Sequence, residues 1–236
     1  MLAVGSYALT SSSSPTGKEA LWSDFRYRRG AEIFGEGEPA DHVYQITSGA
    51  ARTYNLLPDG RRQIGTFHLP DDIFGIENGG SYRFTAEAIL ETQVRFTRRE
   101  RVFDENPKMS VFSSEELLKL IAINLERAET HVLLLGRQTA VERIAAFLRE
   151  MDRRLRSPEI LVLPMCRHDV ADYLGLSHET VTRCFSILRD QEILAYPSRS
   201  SREIILHDKA KLAQLANGHG HKDAAPWPST KNRPVG

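Results

Sequence analysis

Ser177, His178, Glu179, Thr182 and Arg183 lie within seven residues of one another, and together they offer the donors and acceptors needed to read a patterned polar surface. Ser177 is a good N-cap, with Glu179 and Thr180 in the first turn that such a cap opens. On the helix that follows, Val181, Phe185 and Leu188 recur at spacings of four and three and share an inward face. His178, Glu179, Thr182, Arg183 and Ser186 then point outward. In the major groove of DNA, Arg donates two bonds to guanine O6 and N7, Glu accepts from cytosine N4, and a Thr methyl touches the thymine methyl. The competing account is a solvated face carrying an i,i+4 ion pair between Glu179 and Arg183.

Other residues near this helix suit supporting roles. Arg167 ahead of it and Arg199 and Arg202 beyond it are suited to phosphate contacts, which fix register without reading sequence, as are the hydroxyls of Ser177 and Thr180. Cys184 follows Arg183 directly. A guanidinium beside a thiol favours the reactive thiolate, so Cys184 is a candidate redox switch whose oxidation would put negative charge next to phosphate. The alternative is a small, half-buried helix residue without a regulatory role. Cys166, outside this helix, reads as structural.

These residues need elements to carry them. Asp169 to Leu174 reads as a short helix, Gly175-Leu176-Ser177 as a turn, and His178 to Asp190 as the next helix. Ile193 to Tyr196 and Glu203 to Leu206 then flank a polar, basic hairpin tip, which makes a winged helix-turn-helix over residues 137–209. A helix over Val141 to Leu155 opens this unit, with Ile144, Phe147, Leu148 and Met151 on one side and arginines on the other.

Ser114 to Gly136 contains no interior proline or glycine, and Leu118, Ile121, Leu125, Ala128, Val132 and Leu135 recur at alternating spacings of three and four. This heptad seam predicts a long dimerisation helix over 113–136, with Leu117, Leu120, Leu133 and Leu134 widening the stripe toward its own chain. A helix buried within a monomer is the other possibility. Residues 23–112 carry short apolar runs, among them Val43 to Ile46, Ala51 to Tyr54 and Gln63 to Phe67, broken by turn residues. That pattern predicts an antiparallel β-roll. Residues 1–22 and 210–236 read as a flexible arm and a flexible tail, and the tail histidines His219 and His221 carry no metal site. The fold class expected is therefore α+β.

Composition bounds the function. The chain has 31 basic and 31 acidic residues, and residues 137–209 hold twelve basic against eleven acidic, so overall charge does not announce a nucleic-acid partner. No stretch reaches the roughly 20 apolar residues that span a bilayer, and the serine-rich start lacks a signal-peptide pattern. A cytoplasmic protein without a membrane partner is expected, its two cysteines reduced. No nucleophile-base pair or metal set supports an enzyme.

The stretch RHDVADYLGLSHETVTRCFSIL, Arg167 to Leu188, is where a family resemblance is strongest, in Gly175, Ser177, Glu179, Thr180, Val181 and Arg183. Gly30, Gly37, Gly49, Gly75 and the Asp59-Gly60 turn add to it. Over residues 25 to 209 the chain resembles the cyclic-AMP receptor and fumarate-nitrate reduction regulator superfamily, and within it the FixK group of microoxic and nitrogen-fixation regulators. The resemblance implies a homodimeric transcription activator on double-stranded DNA, at a palindrome with TTGA-like half-sites, in contact with RNA polymerase. Glu179 and Arg183 would read its G·C pairs. Two departures matter. Phe74 to Ile89 reads FGIENGGSYRFTAEAI, with Ile76 where the ribose-binding Glu of the cyclic-nucleotide members stands and Arg83 followed by Phe84, so control by cyclic AMP is not expected. Iron-sulfur members use four cysteines, and two cannot make such a cluster within one chain. No cofactor is expected, and the alternative to ligand-independent binding is a β-roll gated by an unidentified small molecule.

Overall fold

A computed structural model describes residues 21–106, 109–137, 139–156 and 159–218. The first part is two four-stranded antiparallel sheets. One has the order β1 (Ser23–Tyr27), β8 (Thr92–Arg98), β3 (His42–Ser48), β6 (Ile73–Phe74), and the other β2 (Glu32–Phe34), β7 (Thr85–Ala88), β4 (Ala51–Leu56), β5 (Arg62–His68). The three expected strands fall within β3, β4 and β5. Ile33, Phe34, Tyr44, Ile46, Phe74 and Val94 form the core between the sheets. Gly49 turns β3 into β4 at φ +84°, and a Cβ there would stand 2.4 Å from the Glu91 carbonyl oxygen, so only glycine closes this roll.

Helix α1 (Ser114–Leu135) starts in a reciprocal cap, the Ser113 hydroxyl accepting from the Glu116 amide and the Glu116 carboxylate from the Ser113 amide. Such a cap is worth about 1 kcal/mol. Leu117 packs beside Val43, Val102 and Val111 of the roll, and Leu134 is buried toward the C-terminal half. The seam residues Leu118, Ile121, Leu125 and Val132 are exposed at 47–68 %, so this helix is not buried within its own chain. Leu135, expected to complete the seam, is half-buried.

α2 (Ala140–Leu155) opens with a second reciprocal cap, Thr139 with Glu142. Its apolar face is completely buried at Ile144, Phe147, Leu148 and Met151, about 2 kcal/mol of hydrophobic stabilisation for each side chain. Then come β9 (Ile160–Val162), α3 (Arg167–Leu174), α4 (His178–Asp190), β10 (Leu194–Ala195), β11 (Glu203–Leu206) and α5 (Lys209–Ala216). The wing is a three-stranded antiparallel sheet, β10-β11-β9. The sequence pattern does not announce its third strand: β9 is three residues long with only Leu161 buried, too short to show alternation.

Both ends differ from expectation. The flexible tail predicted from residue 210 is corrected by α5, whose Leu212 and Ala216 are buried, and whose end receives a hydrogen bond from Arg137 to the Ala216 carbonyl. Lys209 also pairs with Asp152 at 2.7 Å. The arm predicted over 1–22 is shortened, because Leu21 and Trp22 pack against the Val43 cluster and the Arg95 guanidinium lies 4.9 Å over the Trp22 ring. Residues 1–20 and 219–236, including His219 and His221, lie outside the described residues.

The β-roll and the C-terminal half share a core. Ile64, Phe67 and Leu69 of the roll join Phe147, Tyr173 and Leu174 in one buried cluster. Around it run ion pairs. Asp169 accepts from Arg52 and from Arg62, the latter at 2.8 Å, while Asp172 accepts from Arg62 at 2.9 Å. Asp72 pairs with Arg127 of α1 at 2.7 Å and Arg154 of α2 at 2.6 Å. The His131 ring of α1 stacks on Tyr173 of α3, centroids 4.0 Å apart, and donates to its carbonyl oxygen at 2.8 Å.

Candidate DNA interface

The turn between α3 and α4 follows from two residues. Gly175 takes φ +62°, the left-handed conformation that ends a helix and turns the chain. Ser177 then caps α4, its Oγ accepting from the Thr180 amide at 3.1 Å and lying 2.9 Å from the Thr180 hydroxyl. α4 spans the predicted residues, with Val181, Cys184, Phe185 and Leu188 buried and His178, Glu179, Thr182 and Arg183 exposed on the opposite side.

The exposed face is preordered. Arg183 donates to Glu179 Oε1 at 2.9 Å, with the two side chains 54 % and 81 % exposed. This is the ion pair of the competing account, and it is compatible with base reading: an exposed i,i+4 pair is worth only about 0.3–0.5 kcal/mol, little to give up for a base edge. Thr182 Oγ1 donates to the His178 carbonyl at 2.9 Å, and the side chain is exposed. His168, the second residue of α3, is exposed and stacks face to face on His178, centroids 3.8 Å apart and planes 13° from parallel. Sequence reasoning missed His168, since nothing local announces a partner ten residues away.

Two of the predicted site residues are corrected. Arg167 does not offer its guanidinium outward: it lies 3.1 Å over the Phe185 ring and donates to Tyr196 Oη at 3.0 Å and to the Ser201 carbonyl at 2.9 Å. It ties α3, α4 and the wing together, and burial lowers its pKa. Cys184 faces inward, 3 % exposed, and burial pushes its thiol up despite the opposing effect of Arg183. The exposed thiolate that a redox switch needs is not present there. Cys166, half-buried, donates from its Sγ to Asp169 Oδ2 at 3.2 Å, a structural contact at the start of α3.

The wing tip is shaped by serines. Ser198 Oγ accepts from the Ser200 amide at 3.0 Å and Ser200 Oγ from the Arg202 amide at 3.3 Å, with Arg199 exposed and Arg202 partly so. α3, α4 and the wing therefore present one polar surface with a rigid frame behind it.

The β-roll contains a cavity of about 200 Å³ lined by Phe34, Thr53, His68, Phe74, Glu77 and Arg83, among others. Ile76 offers no carboxylate, as expected, but its neighbour Glu77 is buried and binds Arg83 at 2.7 Å. Carboxylate and guanidinium thus neutralise each other at the cavity wall. Among the described residues no cluster of three or more His, Cys, Asp or Glu is placed to hold a metal, and no helix is long and apolar enough to cross a membrane.

Comparison with known proteins gives this geometry a context. Residues 24–105 match the model of the cyclic nucleotide-binding domain, and residues 142–215 match the Crp-like helix-turn-helix domain. The chain is 42 % identical over 191 residues to the nitrogen fixation regulation protein FixK of Rhizobium meliloti, covering 81 % of this chain and 86 % of that one. It is 39 % identical to the FixK of Azorhizobium caulinodans, over 83 % of this chain and 80 % of the relative. Among solved structures, FixK2 from Bradyrhizobium japonicum superposes with a TM-score of 0.76 at 47 % identity, covering 87 % of this chain and 99 % of the other.

Proposed function

From the premise that this chain belongs to the FixK group of Crp/Fnr transcription regulators, we propose that it activates microoxic, respiratory or nitrogen-fixation genes as a cytoplasmic homodimer bound to a TTGA-type palindrome. The protein is a DNA-binding regulator and not an enzyme. The observation that carries the proposal is the outward face of α4, where His178, Glu179, Thr182 and Arg183 stand exposed between a glycine turn and a basic wing. Arg183 and Glu179 read a G·C pair in each half-site, Ser177 and Thr180 meet phosphate at the helix start, and Arg199 and Arg202 meet it from the wing. Two chains associate through Leu118, Ile121, Leu125, Ala128 and Val132, whose exposure on α1 supports a two-fold contact. This places the recognition helices about one DNA turn, roughly 34 Å, apart. The promoter-bound dimer contacts RNA polymerase.

Fluorescence anisotropy with untreated protein and a TTGA palindrome tests this reading. Tight binding that needs both half-sites is expected, and Arg183→Ala should lose about 1–3 kcal/mol per half-site. Equal affinity for the palindrome and for a scrambled duplex would end the proposal. The roll cavity favours one second reading, a regulator gated by a small molecule. Binding that appears only after a small-molecule extract is added would select it.

A further inference from the structure

We infer that His168 is a positioning residue for base recognition: its ring holds His178 in the groove-facing orientation that lets His178 discriminate one base pair of the half-site. The inference rests on the reading of α4 as the recognition helix. His178 is the first residue of α4 and His168 the second of α3, and both side chains are exposed, so neither is held by a core. Nevertheless their rings lie 3.8 Å apart and within 13° of parallel. An exposed histidine alone samples its rotamers in picoseconds to nanoseconds, and ordering it on a base edge costs entropy at the moment of binding. A ring already stacked on a neighbour has met part of that cost before DNA arrives, and it swings away less readily when the wrong base is presented.

The backbone around the pair is fixed as well. The His178 carbonyl accepts from Thr182 Oγ1 at 2.9 Å, and α3 is anchored by Asp169, the residue next to His168, through its contacts to Arg52 and Arg62. Two rigid helices thus bring the two imidazoles together. A neutral imidazole has one N–H donor and one acceptor nitrogen. Held edge-on to the groove, His178 suits a purine edge, donating to N7, at the base pair on its side of those read by Glu179 and Arg183. His168 itself touches no base. It acts through the orientation of its neighbour.

Competition binding against palindromes in which each base pair of the half-site is varied in turn tests this, using full-length wild type, His178→Ala, His168→Ala, His168→Phe and Arg183→Ala. Wild type should prefer a purine over a pyrimidine roughly fivefold or more at the position read by His178, since N7 is common to both purines. His178→Ala and His168→Ala should both reduce that to about twofold at the same position and leave the others alone, while His168→Phe, which keeps a flat ring and no ionisable proton, should retain it. All three positions are exposed, so thermal melting should match wild type in every variant. Unchanged discrimination in His168→Ala alongside its loss in His178→Ala would overturn the inference, because His178 would then orient itself. A uniform loss of affinity with a shallower salt dependence in His168→Ala would overturn it too, marking a phosphate contact. His168→Phe behaving like His168→Ala would overturn it as well, showing that the imidazole protons act and not the stack. If wild type and Arg183→Ala discriminate equally poorly everywhere, the reading of α4 fails, and the inference with it.

Discussion

The arginines at the junction between β-roll and helix-turn-helix and the arginines of the exposed α4 and wing surface have the same chemistry and opposite circumstances. Arg52 and Arg154 are 12 % and 8 % exposed at the side chain and each meets a carboxylate, whereas Arg183 is 54 % exposed and pairs with a neighbour on its own helix. In the first place, a guanidinium's five donors lock elements together at low dielectric; in the second the guanidinium lies at the water-facing surface. Arg167 shows how little separates the two: placed by sequence among the DNA contacts, it is folded back over Phe185 and, like the junction arginines, ties elements together, here α3, α4 and the wing. Burial and partner decide the role of an arginine, and residue type does not.

The sharpest way to break this comparison is Asp169→Ala. That carboxylate is 5 % exposed and holds Arg52, Arg62 and the Cys166 amide at once. Removing it leaves Arg52 with Glu87 and Arg62 with Asp172 as their remaining carboxylates, and should cost about 3 kcal/mol, read as a fall in the urea midpoint. Asp172→Ala, at 29 % exposure, should cost much less. A decrease under about 1 kcal/mol in Asp169→Ala would mean that the apolar cluster alone holds the halves together.

A second effect comes from His68, buried in the roll and hydrogen-bonded to Thr53 at 3.2 Å. Burial lowers its pKa to about 3, with Asp72 opposing and Arg154 and Arg127 adding to the shift. A histidine kept neutral in the fold takes up a proton on unfolding between pH 6.5 and about 3. Stability should therefore fall as pH drops through that window, by about 1 kcal/mol per pH unit. Urea melts at pH 7 and pH 5 should show this, and His68→Gln should flatten the difference. An equal pH dependence in the variant would assign the acid sensitivity to other groups, His131, whose pKa burial also lowers, among them.

Arg167→Ala should act on the stability of the helix-turn-helix and wing, where all its contacts lie. It removes a guanidinium stacked on Phe185 together with the bonds to Tyr196 and Ser201, about 2 kcal/mol of stability. A variant that binds DNA less tightly with an unchanged melting temperature would return Arg167 to the phosphate contacts.

What the sequence showed and what it hid divide along the same line. α1, α2 and α4 were legible because each carries an apolar stripe at a helical period, and the Gly175 turn because its backbone demands glycine. The outward set on α4 followed from the same period. The junction was not legible: Arg52 and Asp169 are 117 residues apart, and no local pattern pairs them. Nor was the inward turn of Cys184, because the residue sits at the border between two faces of α4, where a shift of one position in the stripe reverses its exposure. α5 was hidden by the composition of the residues beyond it.

The smallest expected effect is at the wing. Arg199 and Arg202 sit on a serine-shaped tip, and neither side chain belongs to a buried core, so replacing either by Ala should leave melting unchanged. If they meet phosphate, each replacement leaves one phosphate per chain without its cation. Affinity should then fall about equally for specific and scrambled duplexes, and the dependence of binding on salt should become shallower by about one unit for each phosphate no longer neutralised. Arg183→Ala should do the reverse, with a large decrease on the palindrome, a small one on scrambled DNA and little change in slope. A wing variant that loses sequence preference instead would place a base contact in the wing and extend the reading surface beyond α4.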